Sequence, residues 1–163
     1  MGKKLYLYFS AFAVSAAIFA FDWWSKSCVL RQLELVSGNA IEVTPFFNLV
    51  LVYNRGVSFG MFAGHNQPFL LICVSAIIVL ILLAWLLRNE SIAVALAIGS
   101  ITGGAVGNIF DRLHYGAVVD FLDFHVMGWH WPAFNVADSF VFIGVVVLCI
   151  YSMFFEDKNS VRK

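Results

Sequence analysis

Two aspartates, Asp120 and Asp138, have the type and the surroundings for acid–base chemistry. Asp120 stands in the run Val118-Val119-Asp120-Phe121-Leu122, where loss of solvation raises a carboxyl pKa. Asp138 precedes Ser139 at the head of an apolar run, the place of a helix N-cap, where the helix dipole favours the ionised form. Carboxyls whose environments push their pKa values apart can activate a water against an amide. One takes the water's proton and the other holds the carbonyl oxygen. Asn135, just before Asp138, and Asn108 and Asp111, further back, carry side chains that could orient such a pair by hydrogen bonds.

Two other chemistries compete. Gly56-Val57-Ser58-Phe59-Gly60 is a literal G-x-S-x-G, which in a nucleophile elbow joins a strand to a helix. The residues that follow, Met61-Phe62-Ala63-Gly64-His65, are too few and too glycine-broken to supply that helix. A metal site could draw on Asp120, Asp123, His125 and His130, but no H-E-x-x-H is present, and His125 beside Asp123 reads as polar decoration of a strand. Cys28, Cys73 and Cys149 have neither an even number nor a metal-ligand spacing.

The elements that must hold these groups follow from where charge is missing. Of the 163 residues 61% are hydrophobic and only 12% charged, against about 25% charged in an ordinary soluble domain. Ten Lys and Arg cancel ten Asp and Glu with no basic run, which argues against a nucleic-acid partner. Residues 5–21, 68–87, 91–110 and 139–155 contain no Asp, Glu, Lys or Arg. Each is long enough to cross a ~30 Å hydrocarbon core as a helix. Leu71–Leu83 is apolar on every side, whereas a helix of a soluble bundle keeps a polar face. Lys3 and Lys4 before the first stretch suit a signal peptide, but apolar character continues through Ile18, Phe19 and Phe21, so the segment reads as a retained anchor helix.

Four spans put both termini on one side, with the turn Arg88-Asn89-Glu90, and leave residues 22–67 and 111–138 on the other. Basic residues at both chain ends place the termini in the cytoplasm. Seven of the ten acidic residues, Asp120 and Asp138 among them, fall on the opposite side. There Ile41–Thr44, Phe46–Tyr53 and Val118–His125 have strand chemistry, and Trp23, Trp24, Trp129 and Trp131 suit a membrane interface. The expected architecture is one membrane domain over residues 1–163, an all-α bundle of four transmembrane helices with a small extracytoplasmic β-sheet. Gly99, Gly103, Gly104 and Gly107 in the third span predict close helix packing, which a channel or transporter would also use. Asp22, Asp111 and Arg112 end the first and third spans, where a charge costs ~2.5–3.5 kcal/mol at full membrane depth. Each alone is an interfacial anchor or cap, and Asp111 with Arg112 could form a local ion pair.

Taken in order, these motifs resemble the lipoprotein signal peptidases (signal peptidase II), aspartyl peptidases of the bacterial inner membrane. The resemblance rests on Asp22-x-x-Ser25-Lys26, Asn54-x-Gly56 with Ser58-Phe59-Gly60, Gly107-Asn108-x-x-Asp111-Arg112, Val118-Val119-Asp120-Phe121 and Phe134-Asn135-x-Ala137-Asp138-Ser139. It implies a four-helix peptidase with a periplasmic β-cradle and both termini in the cytoplasm. The catalytic dyad would be Asp120 and Asp138, supported by Asp22, Lys26, Asn54, Gly56, Asn108, Asp111, Arg112 and Asn135. The reaction it implies is cleavage of prolipoproteins immediately before the diacylglyceryl-modified cysteine, with no metal or other cofactor. The implied partners are those substrates and membrane lipids, and the expected state is a monomer. Family members often carry Ala-Ala after Asn-x-Gly, whereas this chain has Val57-Ser58. That departure bears on the substrate groove and leaves the dyad intact.

Overall fold

A computed structural model describes residues 2–33, 40–56 and 67–156. Ser58, Gly60 and His65, on which the serine reading depends, lie outside the described residues. The element order is α1 (Gly2–Leu33), β1 (Ala40–Thr44), β2 (Phe47–Asn54), α2 (Gln67–Arg88), α3 (Ile92–Tyr115), β3 (Val118–Val126), β4 (Trp129–His130) and α4 (Val136–Tyr151), the last continued by a π-helical turn at Ser152–Glu156. All four helices are long and apolar enough to cross a membrane.

α3 is the central helix and packs against the other three. Its glycines make that possible. A Cβ at Gly103 would lie 2.6 Å from the Ser15 carbonyl oxygen of α1, and one at Gly104 would lie 2.5 Å from the Ala137 carbonyl oxygen of α4. Small residues let backbones approach where lipid offers no hydrophobic drive to bring helices together. Ser100 Oγ donates to the Phe140 carbonyl at 2.7 Å, a further tie between α3 and α4. α2 is different, since hardly any of it is buried inside the protein. Its apolar faces would meet lipid.

Charge-free runs underestimate the helices. α1 does not end at Phe21 but continues to Leu33, so residues 22–33 belong to a helix rather than to an irregular outer segment. Asp22 and Lys26 fall one turn apart and form an ion pair of 2.6 Å, so the helix carries both charges onward. α3 likewise runs past Phe110 to Tyr115 and stops at Gly116, whose left-handed φ of +68° brings its N–H onto the Arg112 carbonyl.

The strands pair antiparallel in the order β1-β2-β3-β4. Phe121 of β3 and Val29 of α1 are buried together against Ile41, Leu49 and Leu51. This apolar contact seats the sheet on the distal end of α1. β4, which the sequence reading did not anticipate, is a two-residue strand closing a tight turn at Met127 and Gly128, both at positive φ.

Candidate active site

Asp120 and Asp138 reach one site from different elements. Asp120 lies in β3 opposite Val52 of β2, and Asn54, at the end of β2, points its amide at it. Asn54 Nδ2 donates to Asp120 Oδ2 at 3.0 Å, while Asn54 Oδ1 accepts the Gly56 N–H at 3.1 Å, which fixes the amide's orientation. Asp120 is 2% exposed.

Asp138 lies in the first turn of α4. It is not the N-cap, as its place before Ser139 suggested. Asn135 is the cap, and Asp138 stands at N3 of a capping box. Asn135 Oδ1 accepts the Asp138 N–H at 2.9 Å, and Asp138 Oδ2 accepts the Asn135 N–H at 3.3 Å. The helix therefore starts at Val136, a turn earlier than the apolar run implied.

The cap also joins the two carboxyls. With Oδ1 committed to the helix, Asn135 Nδ2 faces Asp120 Oδ1 at 2.8 Å, with Asn108 Oδ1 at 3.1 Å and the Val119 carbonyl at 3.3 Å. Asn108 of α3 donates its Nδ2 to Asp138 Oδ1 at 2.7 Å. Asn135 is wholly buried, so its hydrogen bonds are made within the protein.

Behind the pair lies a charged cluster. Lys26 Nζ sits 2.6 Å from Asp22 Oδ2, 2.8 Å from Asp111 Oδ2 and 3.2 Å from Asn108 Oδ1. Asp22 Oδ1 also accepts the Ala137 N–H at 2.9 Å, and Asp111 Oδ2 the Val119 N–H at 3.1 Å. These two bonds tie α1 to the start of α4 and α3 to the strand that bears Asp120. Asp111 thus pairs with Lys26, and no ion pair with Arg112 forms among the described residues. Arg112 instead donates to the Asn108 carbonyl at 3.3 Å, and its charge acts on Asp138, Asp120 and Asp111.

Burial raises the Asp120 pKa to about 6, against the opposing hydrogen bonds from Asn54 and Asn135 and with help from the Asp138 charge. A carboxyl that keeps its proton up to about pH 6, close to a second carboxyl with fixed donors, can share one proton between general acid and general base. The arrangement therefore suits activation of water.

All ten residues singled out for the site in the sequence are described, and the structure gathers them. Asp120, Asp138, Asn54, Asn108 and Asn135 are linked directly, Asp22, Lys26 and Asp111 form the charged cluster, and Gly56 and Arg112 hold Asn54 and Asn108. Asp123 stays apart. It alternates to the other face of β3 from Asp120, accepts from Asn48 at 3.1 Å and lies 2.9 Å from His130 Nδ1. Among the described residues no group of three or more His, Cys, Asp or Glu is disposed to hold a metal ion. Sequence reasoning missed the backbone N–H groups of Val119 and Ala137. It expected close packing at Gly107 but not that the neighbour is the Asp22 carboxylate, whose Oδ2 would lie 2.7 Å from a Cβ there. The Gly107-Asn108 pair was the available signal.

Comparison with known proteins bears on what this site does. The family model described as Signal peptidase (SPase) II matches residues 14–154. A lipoprotein signal peptidase of Alteromonas mediterranea is 40% identical over 90% of this chain and 82% of its own length. One from Pelagibacter ubique is 38% identical over 90% of this chain and 89% of its own. A bacterial membrane enzyme solved by the in meso method at 2.3 Å resolution superposes with a TM-score of 0.76 at 28% identity, covering 94% of this chain and 91% of that one.

Proposed function

The chain belongs to the signal peptidase II family, aspartic-type endopeptidases of bacterial membranes, and on that premise we propose that Asp120 and Asp138 are its catalytic dyad. The observation that carries this reading is the single hydrogen-bonded network in which Asn135 reaches Asp120 while capping the helix of Asp138. The family answers the serine alternative, since its members are aspartic-type.

The substrate is a prolipoprotein, cut immediately before its diacylglyceryl-modified cysteine. Asp120, protonated, donates a hydrogen bond to the scissile carbonyl oxygen. Asp138, held by Asn108 and the Asn135 N–H, accepts a proton from the attacking water. Hydroxide adds to the carbonyl carbon, Asp138 passes the proton it took to the cysteine nitrogen, and the C–N bond breaks as the amine leaves, while the new carboxylic acid gives up its proton to solvent. The signal peptide departs with a new carboxylate and the lipoprotein with a free amine. Asn54 and Asn135 hold Asp120, while Lys26, Asp22 and Asp111 lock α1, α3 and α4 in register. Arg112 lowers the cost of negative charge on the intermediate.

The bundle sits in the inner membrane as a monomer with both termini in the cytoplasm. The sheet forms a cradle on the periplasmic side, and lipid surrounds α2. The membrane delivers the substrate laterally, and the dyad meets the scissile bond at the surface, where water is available.

The test is cleavage of a diacylglyceryl-modified prolipoprotein by purified protein, with and without chelator. Cleavage that survives chelation and disappears in Asp120→Asn and in Asp138→Asn is the expected result. Near-wild-type cleavage by either variant sinks the dyad, and no cleavage by the unaltered protein returns the channel or transporter reading.

A further inference from the structure

Along α3, before its site residues Asn108 and Asp111, a groove of about 790 Å³ runs between α1 and α2. Both helices pack on α3 and scarcely on each other, so α3 supplies the floor, with Gly99 and Thr102. Phe12 and Phe19 of α1 form one wall, Leu80 and Leu87 of α2 the other. Phe12, Leu80 and Leu87 are exposed, so the groove opens sideways to whatever surrounds the bundle. From Tyr8 to Phe19 it follows α1 for ~16 Å at 1.5 Å per residue, close to one leaflet of a ~30 Å hydrocarbon core. No residue of the active site lines it.

At the end nearest the start of the chain the groove runs out among cations. Lys4 lies one turn before Tyr8 on the same stripe of α1, and Arg88 one turn after Ala84 on that of α2. Tyr8 and Ala84 both line the groove. The ion pair of Lys3 with Glu90, at 3.3 Å, draws the start of α1 to the turn that follows Arg88. With Lys3 and Glu90 matched to each other, Lys4 and Arg88 are exposed and form no ion pair among the described residues. α3 begins at this end as well. Its N-cap Ser91 makes no side-chain bond to the first turn, which holds no acidic residue, so neither offsets the positive end of the helix dipole.

We propose that this groove is a binding site for an anionic phospholipid of the surrounding membrane, with an acyl chain lying between α1 and α2 and the phosphate held by Lys4 and Arg88. The inference is independent of the peptidase reading. An apolar trough by itself selects nothing, because an acyl chain that leaves the bilayer for it exchanges one apolar surrounding for another. The preference comes from the cations, since a basic pocket between membrane helices attracts anionic headgroups. The same charges disfavour a signal helix as the occupant, because its basic n-region would meet Lys4 and Arg88 at the cytoplasmic end. What the lipid supplies is support for α2. Hardly any of that helix is buried inside the protein, and a chain in the groove fills the gap that separates it from α1. The phosphate then bridges the two helices at their ends.

The test follows the Tm of the purified full chain in a neutral detergent as dioleoyl lipid is added. Phosphatidylglycerol at about 100 times its Kd is expected to raise Tm by about 5–10 °C, and phosphatidylcholine with the same chains by much less. Lys4→Gln combined with Arg88→Gln is expected to bring the two lipids level. Ala84→Trp, which fills the groove, is expected to abolish the gain from both. The double variant alters exposed side chains only, so it decides the matter if the tryptophan variant misfolds. Equal gains from the two lipids in the unaltered protein overturn the proposal, and so does a full phosphatidylglycerol gain in either variant that folds. A gain of the same size from inorganic phosphate alone overturns it too, because the acyl chain then plays no part. None of these readings requires cleavage, so the peptidase assignment stands or falls separately.

Discussion

Asn108 of α3 donates its side-chain Nδ2 to Asp138 Oδ1 of α4 at 2.7 Å, while its Oδ1 accepts from Lys26 of α1 at 3.2 Å. One amide thus connects a cation on one helix to the Asp138 carboxyl on another. Lys26 cannot donate to an NH2 group, so its presence dictates which way the amide points. Replacing Asn108 by Leu removes the donor and frees Asp138 to rotate. We expect kcat to fall by about 10²-fold with a smaller change in KM, the signature of a misplaced reacting group. Steady-state kinetics on a lipid-modified peptide checks this, and an unchanged kcat removes Asn108 from the mechanism.

Asp120 ionises near 6 in the folded protein, against 3.8 for an ordinary aspartate. Between those values the folded protein holds a proton that the unfolded chain has released, so stability falls as pH rises from about 4 to 6. The total is roughly 3 kcal/mol at 1.36 kcal/mol per pKa unit. Asp120→Asn, neutral throughout, should lose this slope and match or exceed the wild type in thermal stability at pH 8. Melting curves of both proteins in detergent between pH 4 and 8 are the measurement. Parallel pH profiles contradict the burial argument.

In the proposed mechanism the same ionisation shapes activity. Above pH 6 the free enzyme would increasingly lack the proton that Asp120 is proposed to present to the carbonyl, so kcat/KM should decline through that region on the alkaline side. Removing the Asp138 charge lowers the Asp120 pKa, since that charge helps raise it. Carbon-detected NMR of the Asp120 carboxyl in Asp138→Asn should therefore titrate below the wild type. An upward shift reverses the assignment.

Lys26 is 3% exposed and lies between two buried carboxylates. Lys26→Met leaves both without a counter-charge, and breaking a buried pair from one side costs about 3–5 kcal/mol. Adding Asp22→Asn and Asp111→Asn to it should recover most of that loss, because no uncompensated charge remains. Chemical denaturation in micelles decides the matter, and a single variant as stable as the wild type shows the cluster to be dispensable.

Gly107→Ala tests the close approach of α1 and α3. The added methyl would lie 2.7 Å from Asp22 Oδ2, so the carboxylate must move and its bonds to Lys26 and Ala137 lengthen. Overpacking of this kind costs about 1–3 kcal/mol. Activity is expected to drop while membrane insertion persists, as read by fractionation and peptide cleavage together.

What the sequence determined by itself is set by local physics. Long runs without charge have to be apolar helices, because only a hydrocarbon surrounding tolerates Leu71–Leu83 on every side. Alternating β-branched and aromatic residues have to form a sheet, and an aspartate among Val119, Phe121 and Leu122 has to be poorly solvated. The order of the five polar motifs was enough to indicate the family. The helix ends were not legible, because Asp22, Asp111 and Asp138 looked like stops while their partners lay elsewhere. Asp22 pairs with Lys26 a turn later, Asp111 shares that same lysine from another helix, and Asp138 sits inside a box closed by Asn135. Only the tertiary structure decided that Asp111 belongs to Lys26 and not to adjacent Arg112, and that Asn135 serves both aspartates. The reason is reach. A charge near the membrane is tolerated for the partner it meets across helices, and spacing along the chain does not record that meeting.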